Sequence, residues 1–128
     1  SLNLVTINVL TASDSVIIPV EASYLSMTGL QQLLASIGST KRKLNRKLEV
    51  EGIVINKVNT RTNHEKDIIG KLREAYGSQI KIFDVMIPES VRAKECTAFG
   101  VSIYKHDGKG KVAKSFEELT REVMEHGC

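Results

Sequence analysis

Two segments about thirty residues apart carry the residue types able to hold a planar base: Ile53-Val54-Ile55-Asn56-Lys57 and Val85-Met86-Ile87-Pro88, the latter running into Glu89-Ser90-Val91-Arg92. Each is an apolar run that ends abruptly in polar residues, the pattern of a buried strand emptying into a loop. In an open parallel sheet, ligands bind beyond the carboxyl ends of the strands. Asn56 offers a carboxamide, a donor and an acceptor on one side chain, which suits a base edge. The stretch Asn56-Lys57-Val58-Asn59 departs from the guanine-reading pattern N-K-x-D at its fourth position. Guanine needs two acceptor oxygens on that side chain and Asn59 has one, so guanine is disfavoured while adenine remains compatible with Asn56. An Asn ending a strand is also a common turn former, so the dipeptide alone is a weak signal.

Nothing comparable is available for a phosphate. A phosphate loop needs glycines between a strand and a helix, with a lysine and a hydroxyl residue beside them. Gly108-Lys109-Gly110-Lys111 has Val112 where the metal-binding Ser or Thr belongs and Lys105 where the first glycine belongs, and it reads as a turn before the last helix. His64, His106 and His126 lack recognised metal spacing, and no G-x-S-x-G elbow occurs. Cys96 and Cys128 form no C-x-x-C motif and read as free thiols in a reducing compartment.

The elements that must position these segments follow from periodicity. At 128 residues, with 41% hydrophobic and 26% charged residues, one α/β domain over 1–128 is expected. Val16 to Val20, Leu48 to Ile55 and Ile80 to Ile87 read as strands. Leu30, Leu33, Leu34 and Ile37 mark a helix over about 24–46, capped by Ser23 or Thr28. Thr62-Asn63-His64-Glu65 is a capping box opening a second helix that Gly77 ends. Residues 88–99 read as a polar loop, 101–104 as a short extended piece, and Val112, Phe116, Leu119 and Val123 as one face of a final helix. Alternating strands and helices predict a parallel sheet covered on both faces. The apolar opening through Leu10 reads as cut from a longer chain.

In order and at matching spacing, Leu2-Asn3-Leu4-Val5-Thr6-Ile7-Asn8-Val9-Leu10-Thr11-Ala12, Asp14-Ser15-Val16-Ile17-Ile18-Pro19-Val20, the stretch from Tyr24 to Leu34, Glu51-Gly52-Ile53-Val54-Ile55 with Arg61-Thr62-Asn63, and Ile87-Pro88 with Val91-Arg92 resemble the C-terminal half of a ParA/Soj-type partition ATPase. That family lies in the ParA/MinD group of deviant Walker P-loop proteins. The resemblance implies a P-loop NTPase-like three-layer fold from which the N-terminal P-loop portion is missing. It implies that ATP and magnesium serve the full-length parent, that their phosphate loop, signature lysine and aspartates would precede Ser1, and that this chain alone is inactive and holds neither. Carried over by resemblance is an adenine rim of Asn56, Lys57, Pro88, Glu89 and Val91, with Glu89 standing where the family often has Arg.

The implied partners are non-specific DNA, a ParB-like protein and a second copy in a dimer, in a cytoplasmic, nucleoid-associated setting without membrane contact. For DNA, cations must displace counterions at phosphates. Lys71, Arg73, Arg92 and Lys94 are the first candidates, and the cluster from Lys41 to Lys47 the second. The net charge of +3 is as compatible with an ordinary surface. Two other readings stay open: a self-sufficient, non-catalytic module that binds DNA or a ParA/ParB-type partner, and an unrelated flavodoxin-like domain with a small-molecule site at the same strand ends.

Overall fold

The computed structural model describes residues 3–59 and 62–127. Three strands, β1 (Ser15–Glu21), β2 (Glu49–Val58) and β3 (Ile82–Pro88), form one parallel sheet in the order β1-β2-β3. Helix α1 (Leu4–Ala12) precedes β1, and α2 (Met27–Lys43) and α3 (Asn63–Tyr76) make the two crossovers. After β3 come α4 (Val91–Phe99), α5 (Ile103–Asp107) and α6 (Lys111–Gly127).

The central strand explains the layering. Successive side chains of a strand point to opposite faces, and on β2 both faces are covered. Ile53 and Ile55 join Leu30, Ile37 and Leu72 on the face of α2 and α3, whereas Val54 joins Phe83, Val85, Ile87 and Val112 on the face of α6. Gly52 sits where the second cluster comes closest. A Cβ there would lie 2.8 Å from the Lys81 carbonyl oxygen and 2.8 Å from the Phe83 ring.

The two outer edges of the sheet differ. Between its pairings at Ile53 with Ile82 and Ile55 with Met86, β3 carries extra residues, and the bulge turns two neighbouring amides outward. The N–H groups of Asp84 and Val85 both donate to the Glu122 carboxylate on α6, at 3.0 and 2.8 Å. One helix side chain thus satisfies an edge that would otherwise invite another strand. No strand pairs with the outer edge of β1 among the described residues, and Ile17 and Pro19 on it are exposed.

Several local expectations need correction. Residues 88–99 are not a loop throughout: Ser90 accepts the Arg92 N–H as N-cap, Gly100 in the left-handed region closes the helix, and α4 lies between them. Only Ala93 packs on the core, so α4 has no apolar period to read. Residues 101–104 are not extended, because Ser102 caps α5 through the Lys105 N–H. Helix α2 is capped by Ser26, whose hydroxyl accepts the Gly29 N–H, and not by Ser23 or Thr28; Ser23 lies in a 3₁₀ turn (Ala22–Tyr24). The Thr62 cap is as expected, and Gly77 caps α3 with a right-handed backbone. Cys96 is free and half-buried, whereas Arg61 and Cys128 lie outside the described residues.

Replacing Gly52 by Ala should lower stability by about 2 kcal/mol or more, since backbone and a fully buried ring must both move. Replacing Gly70 by Ala, with open space around it on α3, should raise stability by about 0.5–1 kcal/mol. Urea denaturation of the two variants measures both, and equal effects would contradict this packing. Glu122→Ala should cost about 2 kcal/mol by stranding the buried Val85 amide, and Lys81→Ala less than about 0.5, because the 3.9 Å pair it makes with Glu122 is partly exposed.

Candidate functional site

The carboxyl ends of β2 and β3 meet at a second bulge. Ile55 lies opposite Met86 and Val58 opposite Pro88, so β2 spends one residue more than β3 over this interval. Lys57 takes up the excess with φ of 51°, the only positive φ of a non-glycine residue among those described. A left-handed backbone costs an L-residue about 1 kcal/mol or more. Its ammonium lies 3.1 Å from Glu21 Oε1 at the end of β1, so an ion pair spans the two strand ends. Beyond the bulge the ladder continues, as the Glu89 N–H donates to the Val58 carbonyl at 3.1 Å.

The loop after β2 is held from α3. Glu65 is only 6% exposed, its Oε1 accepts the Asn59 N–H at 3.1 Å, and its Oε2 accepts the Thr62 hydroxyl at 3.0 Å. The capping box therefore also clamps the loop that follows the base-reading stretch. Its i, i+3 spacing revealed the cap but not the tie to Asn59.

Two cavities flank the segment Pro88-Glu89-Ser90, which stands as a ridge between them. One, of about 250 Å³, is bounded by Asn56 and Lys57, by the ridge, by Ala93, Lys94 and Thr97 of α4, and by Val112 and Phe116 of α6. The other, of about 470 Å³, lies toward Val58, Asn59, Val91, Lys94 and Lys111. Asn56, Lys57, Pro88 and Glu89 thus share a cavity, and Val91 faces the neighbouring one. Apolar Val112 and Phe116 together with a carboxamide and hydroxyls make a lining that suits a flat heteroaromatic ring. Thr97 and Phe116 come to the rim from α4 and α6, and no motif in the sequence marks either of them for it. A larger cavity, of about 490 Å³, lies at the outer edge of β1 between Pro19, Val20, Tyr24 and Leu33. Its lining is mostly apolar, and it has the character of an uncovered sheet flank.

The expected DNA contacts do not converge. Lys71 and Arg73 are on α3, on one face of the sheet, while Arg92 and Lys94 are on α4, whose Ala93 packs with the other. Arg92 is 3.9 Å from Glu95 and Lys94 is 3.6 Å from Glu89. His106 ties α5 to α4: its Nε2 lies 3.1 Å from Glu95 Oε1 and its ring packs on Phe99. No cluster of three or more His, Cys, Asp or Glu able to hold a metal occurs among the described residues, and no helix there is long and apolar enough to cross a membrane.

A parallel α/β sheet covered on both faces, with a cleft at the strand ends, is the fold of the P-loop ParA/MinD-like ATPases. The model of an AAA domain family matches residues 1–50. Cobyrinic acid a,c-diamide synthase from Mycobacterium smegmatis, solved with a bound ATP analogue and magnesium, superposes with a TM-score of 0.78 at 25% identity, over 98% of this chain and 45% of that one. The structure of apo McdA from Cyanthece gives 0.76 at 22% identity, over 93% and 48%. In sequence, the chain is homologous to the ParA/Soj chromosome-partitioning proteins. It is 38% identical to the chromosome partitioning protein ParA of Myxococcus xanthus over 97% of this chain and 43% of that protein. With the sporulation initiation inhibitor protein Soj of Bacillus subtilis it shares 35% over 99% and 49%. The chain thus spans a little under half the length of the curated relatives it matches.

The bulge at Lys57 predicts an unusual substitution pattern. Lys57→Gly should stay within about 1 kcal/mol of the parent, because relief at positive φ offsets the extra freedom of the unfolded chain. Lys57→Val should lose about 1–2 kcal/mol, since a β-branched residue tolerates that backbone least. Thermal unfolding that ranks valine above glycine would refute the bulge.

Proposed function

We propose that this chain is the base-binding part of a ParA-like ATPase for chromosome or plasmid partitioning, and that the phosphate-handling and magnesium-holding residues belong to another part of the same protein. Supporting this reading are the homology along nearly the whole chain and the ATP analogue and magnesium bound by a structural neighbour. The observation that carries it is the cleft at the ends of β2 and β3. There Asn56, the Pro88-Glu89-Ser90 segment and the apolar Val112 and Phe116 line one cavity, a lining suited to adenine rather than to triphosphate. None of the three strand-to-helix connections, residues 22–26, 59–62 and 89–90, contains the glycines that cradle phosphates.

In this reading Asn56 presents its amide to the base edge. Pro88 shapes the loop against the ring, Val91 continues that loop toward the neighbouring cavity, and Glu89 holds Lys94 at the mouth. Lys57 sets the backbone that aims Asn56. The chain has no hydrolytic activity of its own and works in a nucleotide-dependent dimer that binds DNA without sequence preference and answers to a ParB-like partner. Lys71, Arg73, Arg92 and Lys94 are its candidate DNA contacts, and its setting is the cytoplasm at the nucleoid.

Titration calorimetry with ATP provides the test, on the chain alone and on the chain joined behind the N-terminal half of the Myxococcus xanthus relative. The chain alone should bind no tighter than about millimolar, since base contacts offer few atoms. The joined protein should bind far tighter, and Asn56→Leu within it should weaken binding about five- to tenfold, the worth of one or two hydrogen bonds. Unchanged binding in that variant would remove Asn56 from the site, and the absence of binding in a folded joined protein would reject the reading.

A further inference from the structure

Helix α4 walls the base-binding cleft, yet little of it is fastened to the sheet. Ala93, Lys94 and Thr97 line the cavity that Asn56 and Pro88 also line, and no residue of the helix is buried. Among its apolar residues only Ala93 packs on the core, while Val91 and Phe99 are exposed. Its ends are set locally: Ser90 accepts the Arg92 N–H, and the N–H groups of Gly100 and Val101 donate to the Cys96 carbonyl. Those bonds shape the helix but do not fix where it lies.

Its place is fixed by a contact with α5. An ionised carboxylate only accepts, so the His106 ring donates from Nε2 to Glu95 Oε1 at 3.1 Å. The same ring lies 5.6 Å from that of Phe99, centroid to centroid and tilted by 45°. The His106 side chain is 18% exposed, against 66% for Lys94 in its pair with Glu89, and shielding from water strengthens a polar contact. Helix α5 is itself anchored, because Ile103 packs on the core and the chain runs on into buried Val112 and Ala113 of α6. Glu122 then holds α6 to β3. A continuous path of contacts therefore runs from the sheet through α6 and α5 to α4.

We propose that His106 is a positioning residue for the base-binding cleft. By holding Glu95 it keeps α4, with Ala93, Lys94 and Thr97, at the spacing from Val112 and Phe116 of α6 that a flat base requires. The inference rests on the base-binding reading given above and assigns a role to a residue that does not line the cleft. A loose wall must be ordered by its ligand at a cost in affinity, whereas a wall already in place imposes none. The phosphates belong to another part of the protein in that reading, so the cost falls on the base alone.

Hydrogen exchange of the chain alone and calorimetry of the joined protein test this together. Alanine is a better helix former than glutamate, which offsets the exposed 3.9 Å pair with Arg92, so Glu95→Ala should leave exchange along α4 unchanged or slower if the helix stood by itself. With the tie to His106, Glu95→Ala and His106→Leu should instead speed exchange of the α4 amides about fivefold or more, while β2 and α6 stay within about twofold. His106→Gln, whose amide can still donate to the carboxylate, should stay near the parent. In the joined protein, His106→Leu should weaken ATP binding about three- to tenfold and leave inorganic tripolyphosphate within about twofold. Unchanged or slower α4 exchange in Glu95→Ala would overturn the tie. Equal losses for ATP and tripolyphosphate, or unchanged ATP binding where Asn56→Leu weakens it, would overturn the positioning role without touching the cleft. An Asn56→Leu variant that binds ATP as the parent does would reject the cleft and this inference with it.

Discussion

The structure depends on keeping water from both faces of β2. A parallel strand between two neighbours has its backbone groups paired on each side, but its side chains are shielded only if helices cover both faces. Ile53, Val54 and Ile55 are consecutive and all buried, which requires one helix layer above and another below. The crossovers α2 and α3 build the first layer because a chain joining parallel strands must travel back along the sheet. The second layer is built by the helices after β3, and α6 is the one that closes it through Val112, Leu119 and Val123. Gly52, the Phe83 ring and the Glu122 clamp are consequences: the layer must approach closely enough to seal Val54, and its helix must then answer the amides that the bulge in β3 turns outward.

This constraint also accounts for what could be read in advance. An uninterrupted apolar run such as Ile53 to Ile55 announces a strand buried on both sides, whereas the similar run from Val16 to Val20 belongs to an edge strand on which Ile17 and Pro19 are exposed, and α2, α3 and α6 each carry an apolar stripe that must face the sheet. Helices α4 and α5 carry no such stripe, since only Ala93 of one and Ile103 of the other pack on the core. Their formation rests on the capping hydroxyls of Ser90 and Ser102 and on Gly100, signals too short to separate from an ordinary polar loop. The cleft was half legible for the same reason. Asn56, Lys57, Pro88 and Glu89 end strands and could be found by following the strands, whereas Thr97 and Phe116 reach it from helices whose placement only the tertiary fold decides. The Glu21 partner of Lys57 required knowing that β1 and β2 are neighbours in register.

Charge and polarity are divided between the two poles in a way that composition conceals. Near the strand ends, three cations are matched: Lys57 with Glu21, Lys94 with Glu89, Arg92 with Glu95. Such exposed pairs add little stability, but they lower the net field around the cleft. At the opposite pole of the sheet, the five cations among residues 41–47 stand unmatched by any described carboxylate, on a segment pinned by the Asn45 side chain. A mean charge of +3 averages these two environments and describes neither.

The contrast between the sheet edges follows the same logic. On β3 a carboxylate from α6 satisfies two adjacent amides, and the bulge spoils the register that an incoming strand would need. Nothing equivalent protects β1 among the described residues. Its outer side carries exposed Ile17 and an apolar cavity rimmed by Tyr24. Pro19 removes one donor from the strand but leaves the others available. An edge of this kind is open to growth, whereas β3 is finished. Covering β1 would bury apolar surface without disturbing the cleft, which is built from the opposite side of the sheet by β2, β3, α4 and α6.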